Sequence, residues 1–144
     1  MSLAAAQVVD SVVDRLLTVV ATGSRVYTAR PWILAESDLP AWTVLAADET
    51  VERLTVHYPQ AQLHELTIDA AVHARAASGI DDALHVLIEA GLQALFATEP
   101  PHRLRLDGIS RRVDERDEAA ISTHTLRLAA TFTTSANAPQ TITS

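Results

Sequence analysis

The chain contains no cysteine, so disulfides and thiolate metal sites are excluded and no redox compartment can be read from it. Glycine occurs four times, each alone, at 23, 79, 91 and 108, so no glycine-rich loop is available to cradle a phosphate. Aromatic residues make up only 4% of the sequence, and the expected core is one of alanine, valine and leucine. Basic residues are few: 11 against 18 acidic ones, a formal charge of −7. That balance argues against nucleic-acid binding as the main task, which needs a clustered basic surface to release counterions. It suits equally a surface past which DNA must slide without being gripped and the ordinary solubility of a globular protein. Long apolar runs are missing too. Met1 to Val20 has no basic leader, and Asp10, Asp14 and Arg15 interrupt its apolar residues, so it reads as neither signal peptide nor membrane span.

What is present fits one domain. The 144 residues are enough to bury roughly 68–70% of the unfolded surface in a single core. Residues 3–21 read as a helix, with Val9, Val12, Val13, Leu16, Leu17 and Val20 recurring at spacings of three and four. Gly23 is placed to stop it. Arg25 to Thr28 can form a short extended piece, and Arg30-Pro31 forces an extended loop. Pro40 is tolerated at the start of a strand, and Trp42 to Ala47 follows as an apolar strand.

Residues 48–61 are a polar connection that can extend as a hairpin through Leu54 to Tyr58. The clearest pattern comes next. His64, Leu66, Ile68, Ala70, Val72 and Ala74 alternate with Glu65, Thr67, Asp69, Ala71, His73 and Arg75, a half-buried antiparallel strand of unusual length. A second helix is expected from about 80 to 97, with Leu84, Leu87, Ile88, Gly91, Leu92 and Leu95 on one face and Ser78 or Asp81 as its cap. Glu99-Pro100-Pro101 ends it. Leu104 and Leu106 open a third strand with a bend or bulge at Gly108. Residues 111–118 read as a charged connection, and a fourth strand runs from about 120 to 134 with Leu126, Leu128, Ala130 and Phe132 on one face.

The expected fold is therefore α+β: a four-stranded, mainly antiparallel sheet with two helices packed on one face, in the order α-β-β-α-β-β. Residues 1–134 form the single domain, and 135–144 are a polar, mobile tail.

The chemistry-bearing residues do not assemble into a motif. Four residues along a strand span about 13 Å, so Glu65, Asp69 and His73 cannot jointly hold one zinc on that strand alone. Neither helix carries HxxxH or HExxH, and no GxSxG elbow exists. Carboxylate pairs sit at a helix start and in a charged turn, where solvated charge explains them. The expectation is a protein that is not an enzyme, with no metal and no cofactor. Arg111, Arg112 and Arg116 form the one basic cluster, interleaved with Asp114, Glu115, Asp117 and Glu118; it reads as a solvated tip or as an ion-pairing surface for another subunit. Trp42 is expected in the core. Trp32, after Arg30-Pro31, is either tucked over the sheet or held for a partner.

Several of these residues carry a resemblance. Arg25 to Pro31 after the first helix, the acidic loop Glu36-Ser-Asp38, Leu39-Pro40-Ala41 leading into an apolar strand, and the long alternating strand beyond together resemble the tail terminators of long-tailed phages, the group typified by minor tail protein U of phage lambda. The resemblance covers about residues 3–134. It implies a structural virion protein that forms a homo-hexameric ring, caps the tail tube, stops its polymerisation and offers a surface to a head-completion or connector protein. It implies neither active site nor cofactor, a lumen through which DNA passes without specific binding, no membrane, synthesis in the host cytoplasm and a final place in the virion tail. Arg30, Trp32, Asp38, Arg111, Arg112 and Arg116 are then candidates for the subunit and tube interface. The residues leave open another class of reading, a small α+β module that binds a ligand or peptide without catalysis. A deep apolar pocket with convergent polar groups would favour it.

Overall fold

The computed structural model describes residues 3–28, 39–75, 80–116 and 119–143. Among these residues it is an α+β fold with two α-helices and a six-stranded sheet. Helix α1 covers Leu3–Leu16 and strand β1 Val26–Tyr27. Strand β2, Ala41–Arg53, and strand β3, Ala61–Arg75, form a long hairpin. Helix α2, Ile80–Phe96, is followed by a short 3-10 turn over Pro101–Arg103. Strand β4, Arg105–Arg116, pairs with β5, Ala119–Ser135, and β6, Ala138–Ile142, turns back on it.

The strand order is β1-β2-β3-β5-β4. β1 runs parallel to β2, and the other pairings are antiparallel. β3 occupies one side of β5 along almost its whole length, so β4 and β6 share the other side end to end. The expected four-stranded sheet is thus corrected to six. One addition is β1, which lies where the extended piece before Arg30 was expected. The other is β6, from the segment expected to be a polar tail. It is polar because it is short, lies at an edge and keeps Pro139, Gln140 and Thr141 exposed.

The alternation of β3 resolves as read. His64, Leu66, Ile68, Ala70, Val72 and Ala74 are all buried. Trp42 and Val44 of β2 and Leu126, Leu128, Ala130 and Phe132 of β5 lie on the same face by register. Both helices bury their stripes there: Ala4, Ala5, Val8, Val12 and Leu16 from α1, and Leu84, Leu87, Ile88 and Leu95 from α2. Each large aliphatic side chain so buried contributes about 1.5–3 kcal/mol.

Two contacts fix α2. A methyl group at Gly91 would stand 2.7 Å from Cζ2 and Cη2 of Trp42, so the absence of a side chain lets the helix lie directly on the buried indole. At the C-terminal end, the Arg15 guanidinium donates to the carbonyls of Leu95 (2.8 Å), Thr98 (3.1 Å) and Glu99 (3.2 Å). It thereby satisfies carbonyls that a helix end leaves without intrahelical partners.

The first helix is shorter than its periodicity suggests. Thr18 and Val19 bond back to Arg15 and Leu16 in i→i−3 fashion, and Thr18 Oγ1 donates to the Arg15 carbonyl at 2.6 Å. The tighter winding turns the apolar stripe, so that Val19 is buried while Leu17 and Val20 face outward.

Candidate assembly surface

Beyond the helices the β2–β3 hairpin continues as an arm. A bulge between Ala46 and Asp48 shifts the register of β2 against β3. Before it, even-numbered residues of β2 share the helix-side face; after it, odd-numbered ones do, so Glu49 lies opposite Leu66 and Val51 opposite His64. From Thr50 to Pro59 every side chain is exposed. Four of them are large and apolar: Val51 at 55%, Leu54 at 50%, Val56 at 72% and Tyr58 at 83% exposure. A row of this kind on a polar connection is a docking feature rather than a core one. The tip is closed by a backbone hydrogen bond from Leu54 N–H to the Ala61 carbonyl (2.8 Å) and by one from Ala61 N–H to the side-chain Oγ1 of Thr55 (2.9 Å).

The base of the arm is locked by polar bridges. His64 is buried, with Nδ1 2.9 Å from Glu49 Oε1 on β2 and Nε2 2.8 Å from Thr134 Oγ1 on β5. Its ring stacks on Phe132, centroids 4.7 Å apart. One side chain therefore ties three strands where the arm leaves the core. On the opposite face, His73 lies between Thr43 Oγ1 (2.8 Å) and Thr123 Oγ1 (2.9 Å), again spanning β2, β3 and β5. His64 and His73 thus act as cross-strand bridges. Their signal in the sequence was position: each falls where the alternating strand meets a threonine-bearing neighbour.

The second part of the surface is the outer edge of β4. The expected charged connection 111–118 is corrected here: Arg111 to Arg116 belong to the strand, with Arg111 opposite His124 and Arg112 opposite Thr123. An edge strand solvated along one side carries charge without alternating, and so reads as a loop. The bulge expected near Gly108 is present, between Leu106 and Gly108. Leu106, Ile109 and Val113 pair with Leu128, Leu126 and Ser122 and therefore lie on the helix-side face, yet they are 38%, 41% and 57% exposed.

Of the candidate interface residues, Arg111 and Arg112 are exposed neighbours on β4, and Arg116 ends that strand. Arg30, Trp32 and Asp38 lie outside the described residues, as does Ser78 at the expected helix cap. The arm's apolar residues were not singled out from the sequence. The available signal was four large apolar side chains, Val51, Leu54, Val56 and Tyr58, inside a stretch otherwise rich in charge.

Two depressions among the described residues are shallow and open to solvent. One lies between the end of α1 and α2, walled by Val19, Val20, Val86, Leu87 and Ala90, with Thr18 and Gln93 as its polar side chains. The other follows the β2 bulge at Ala46 to Glu49. Among the described residues no three histidine or carboxylate side chains come together as metal ligands, and no helix is long and apolar enough to cross a membrane. Burial lowers the pKa of His102, which sits in the left-handed region at φ 61°.

No family model and no curated protein matches the chain. Among solved structures, a chain of the virion of a native gene transfer agent particle is similar to it, with a TM-score of 0.46 and 21% identity, covering 88% of this chain and 95% of that one. A similarity at that level assigns neither family nor function to this chain.

Proposed function

We propose that this chain is a structural virion assembly protein of the tail-terminator kind. Copies of it form a ring on the end of a phage-type tail tube, stop tube growth and present the opposite side to a head-completion protein. The observation that carries the reading is the arm: a hairpin closed by hydrogen bonds, locked at its base by His64, and lined by Val51, Leu54, Val56 and Tyr58. A long strand pair that extends past its own core and ends in exposed apolar side chains has its contacts outside the domain. The tail-terminator pattern from Arg25 to the long strand supplies the kind of partner. The charge of −7 suits a lumen that DNA crosses without being held.

The test is polymerisation of a long-tailed-phage tail tube protein with and without purified chain, scored by electron microscopy. Capping predicts tubes of reduced length, each with extra density at one end. Tubes of unchanged length with bare ends overturn the proposal.

A further inference from the structure

The two outer edges of the sheet are unlike and complementary. The outer side of β2 is paired with β1 only at Trp42 and Thr43, and the outer side of β4 carries no strand among the described residues. β2 and β5 run one way and β3 and β4 the other, so the two edge strands are antiparallel. When one copy's β4 meets the β2 of the next, the strands are again antiparallel, and the contact repeats head to tail.

We infer that a second copy of this chain is the occupant of each edge, with residues 48–52 of one copy pairing with 108–112 of its neighbour. Both segments lie just past a bulge and are regular thereafter. One register matches them: Asp48 against Arg112, Glu49 against Arg111, Thr50 against Ser110, Val51 against Ile109, Glu52 against Gly108. It also keeps faces together. Glu49 and Val51 lie on the helix-side face of β2 and Arg111 and Ile109 on the helix-side face of β4, so the sheet continues across the contact. The result is two unlike charge pairs around one apolar pair, with exposed Leu54 and Leu106 next along the same edges.

Moving two residues along sets Asp48 against Asp114. Pairing β2 with its own copy gathers Asp48, Glu49 and Glu52 against each other. Pairing β4 with its own copy can match Arg112 with Asp114 and Arg111 with Glu115, but it leaves β2 and Val51 uncovered in both copies. This inference rests on the proposed ring and supplies its contact.

The experiment uses the missing cysteines. Thr50 and Ser110 lie on β2 and β4, separated within one chain by β3 and β5, about 14 Å across the sheet at the usual strand spacing, and offset along it, Thr50 level with Glu65 and Ser110 with Ala71, too far for an internal disulfide. Under mild oxidation, full-length T50C mixed with S110C is expected to give a cross-linked heterodimer, and the T50C/S110C double variant a ladder of higher species. In solution, D48K and R112E alone, which leave the Glu49–His64 bond in place, should each weaken association about tenfold by sedimentation. An equimolar mixture of the two should regain it, because every contact is then again between unlike charges. Association of D48K at the native level, with R112E impaired, points to the symmetric β4 contact and overturns the inference while leaving tube capping to its own test. Absence of cross-links, or a wild-type monomer at all concentrations, overturns it too.

Discussion

The helix-covered half of the sheet and its distal half are made from the same strands and obey different rules. Around Trp42 and Ala70 the helix-side positions of β2 and β3 are apolar and buried, and Gly91 admits α2 onto the indole. Past the β2 bulge the same hairpin exposes Val51, Leu54, Val56 and Tyr58. The buried half sets the fold's stability, and the exposed half is surplus to it. The boundary is marked by His64, whose bonds to Glu49 and Thr134 fix the angle at which the arm departs. A contact surface that must meet a partner at a set geometry gains from such a hinge being rigid.

That contrast can be broken most severely from the buried side. Trp42→Ala should cost about 3–5 kcal/mol in urea unfolding, since it empties the centre of the core. Gly91→Ala should cost about 1–3 kcal/mol by the same measurement, because the new methyl meets an immobile ring. A null effect would mean that α2 is not held as close as 2.7 Å implies.

At the boundary, His64→Ala removes the bridge to Glu49 and Thr134 and should cost about 1–3 kcal/mol. In the arm, replacing Leu54, Val56 and Tyr58 together by serine should leave stability within about 0.5 kcal/mol per site while abolishing tube capping. A large loss of stability there would erase the distinction between the two halves.

The smallest effect concerns pH. Burial lowers the pKa of His102, so its neutral form is favoured in the fold. The stability this contributes is present above the unfolded value near 6.5 and is lost as pH falls below it. His102→Gln should flatten that part of the stability–pH curve, measured by thermal unfolding between pH 5 and 8; an unchanged slope would contradict the assignment.

How far the sequence revealed all this follows the same division. β3 was legible because twelve residues alternate without a break and one side of them is buried. α2 was legible from Leu84 to Leu95, and the Gly108 bulge from its lone glycine. β4 and β6 were not. Both are edge strands, and Arg111-Arg112-Val113-Asp114 or Ala138-Pro139-Gln140 is the composition of a solvated edge as much as of a loop. The end of α1 was misplaced because periodicity is blind to the Thr18 hydroxyl that tightens the last turn. Of the six candidate interface residues, Arg111 and Arg112 fall on the exposed edge. They were found as a charge cluster, while the apolar arm beside them in function was hidden by being read as a connection.

Hydrogen–deuterium exchange on the chain alone and on tail tube protein tests the central claim most directly. The account predicts that exchange slows on assembly at residues 48–61 and along β4, while the helix-covered strands, already protected, change little. Slowing confined to the groove between the end of α1 and α2, with the arm exchanging as freely as before, would contradict it.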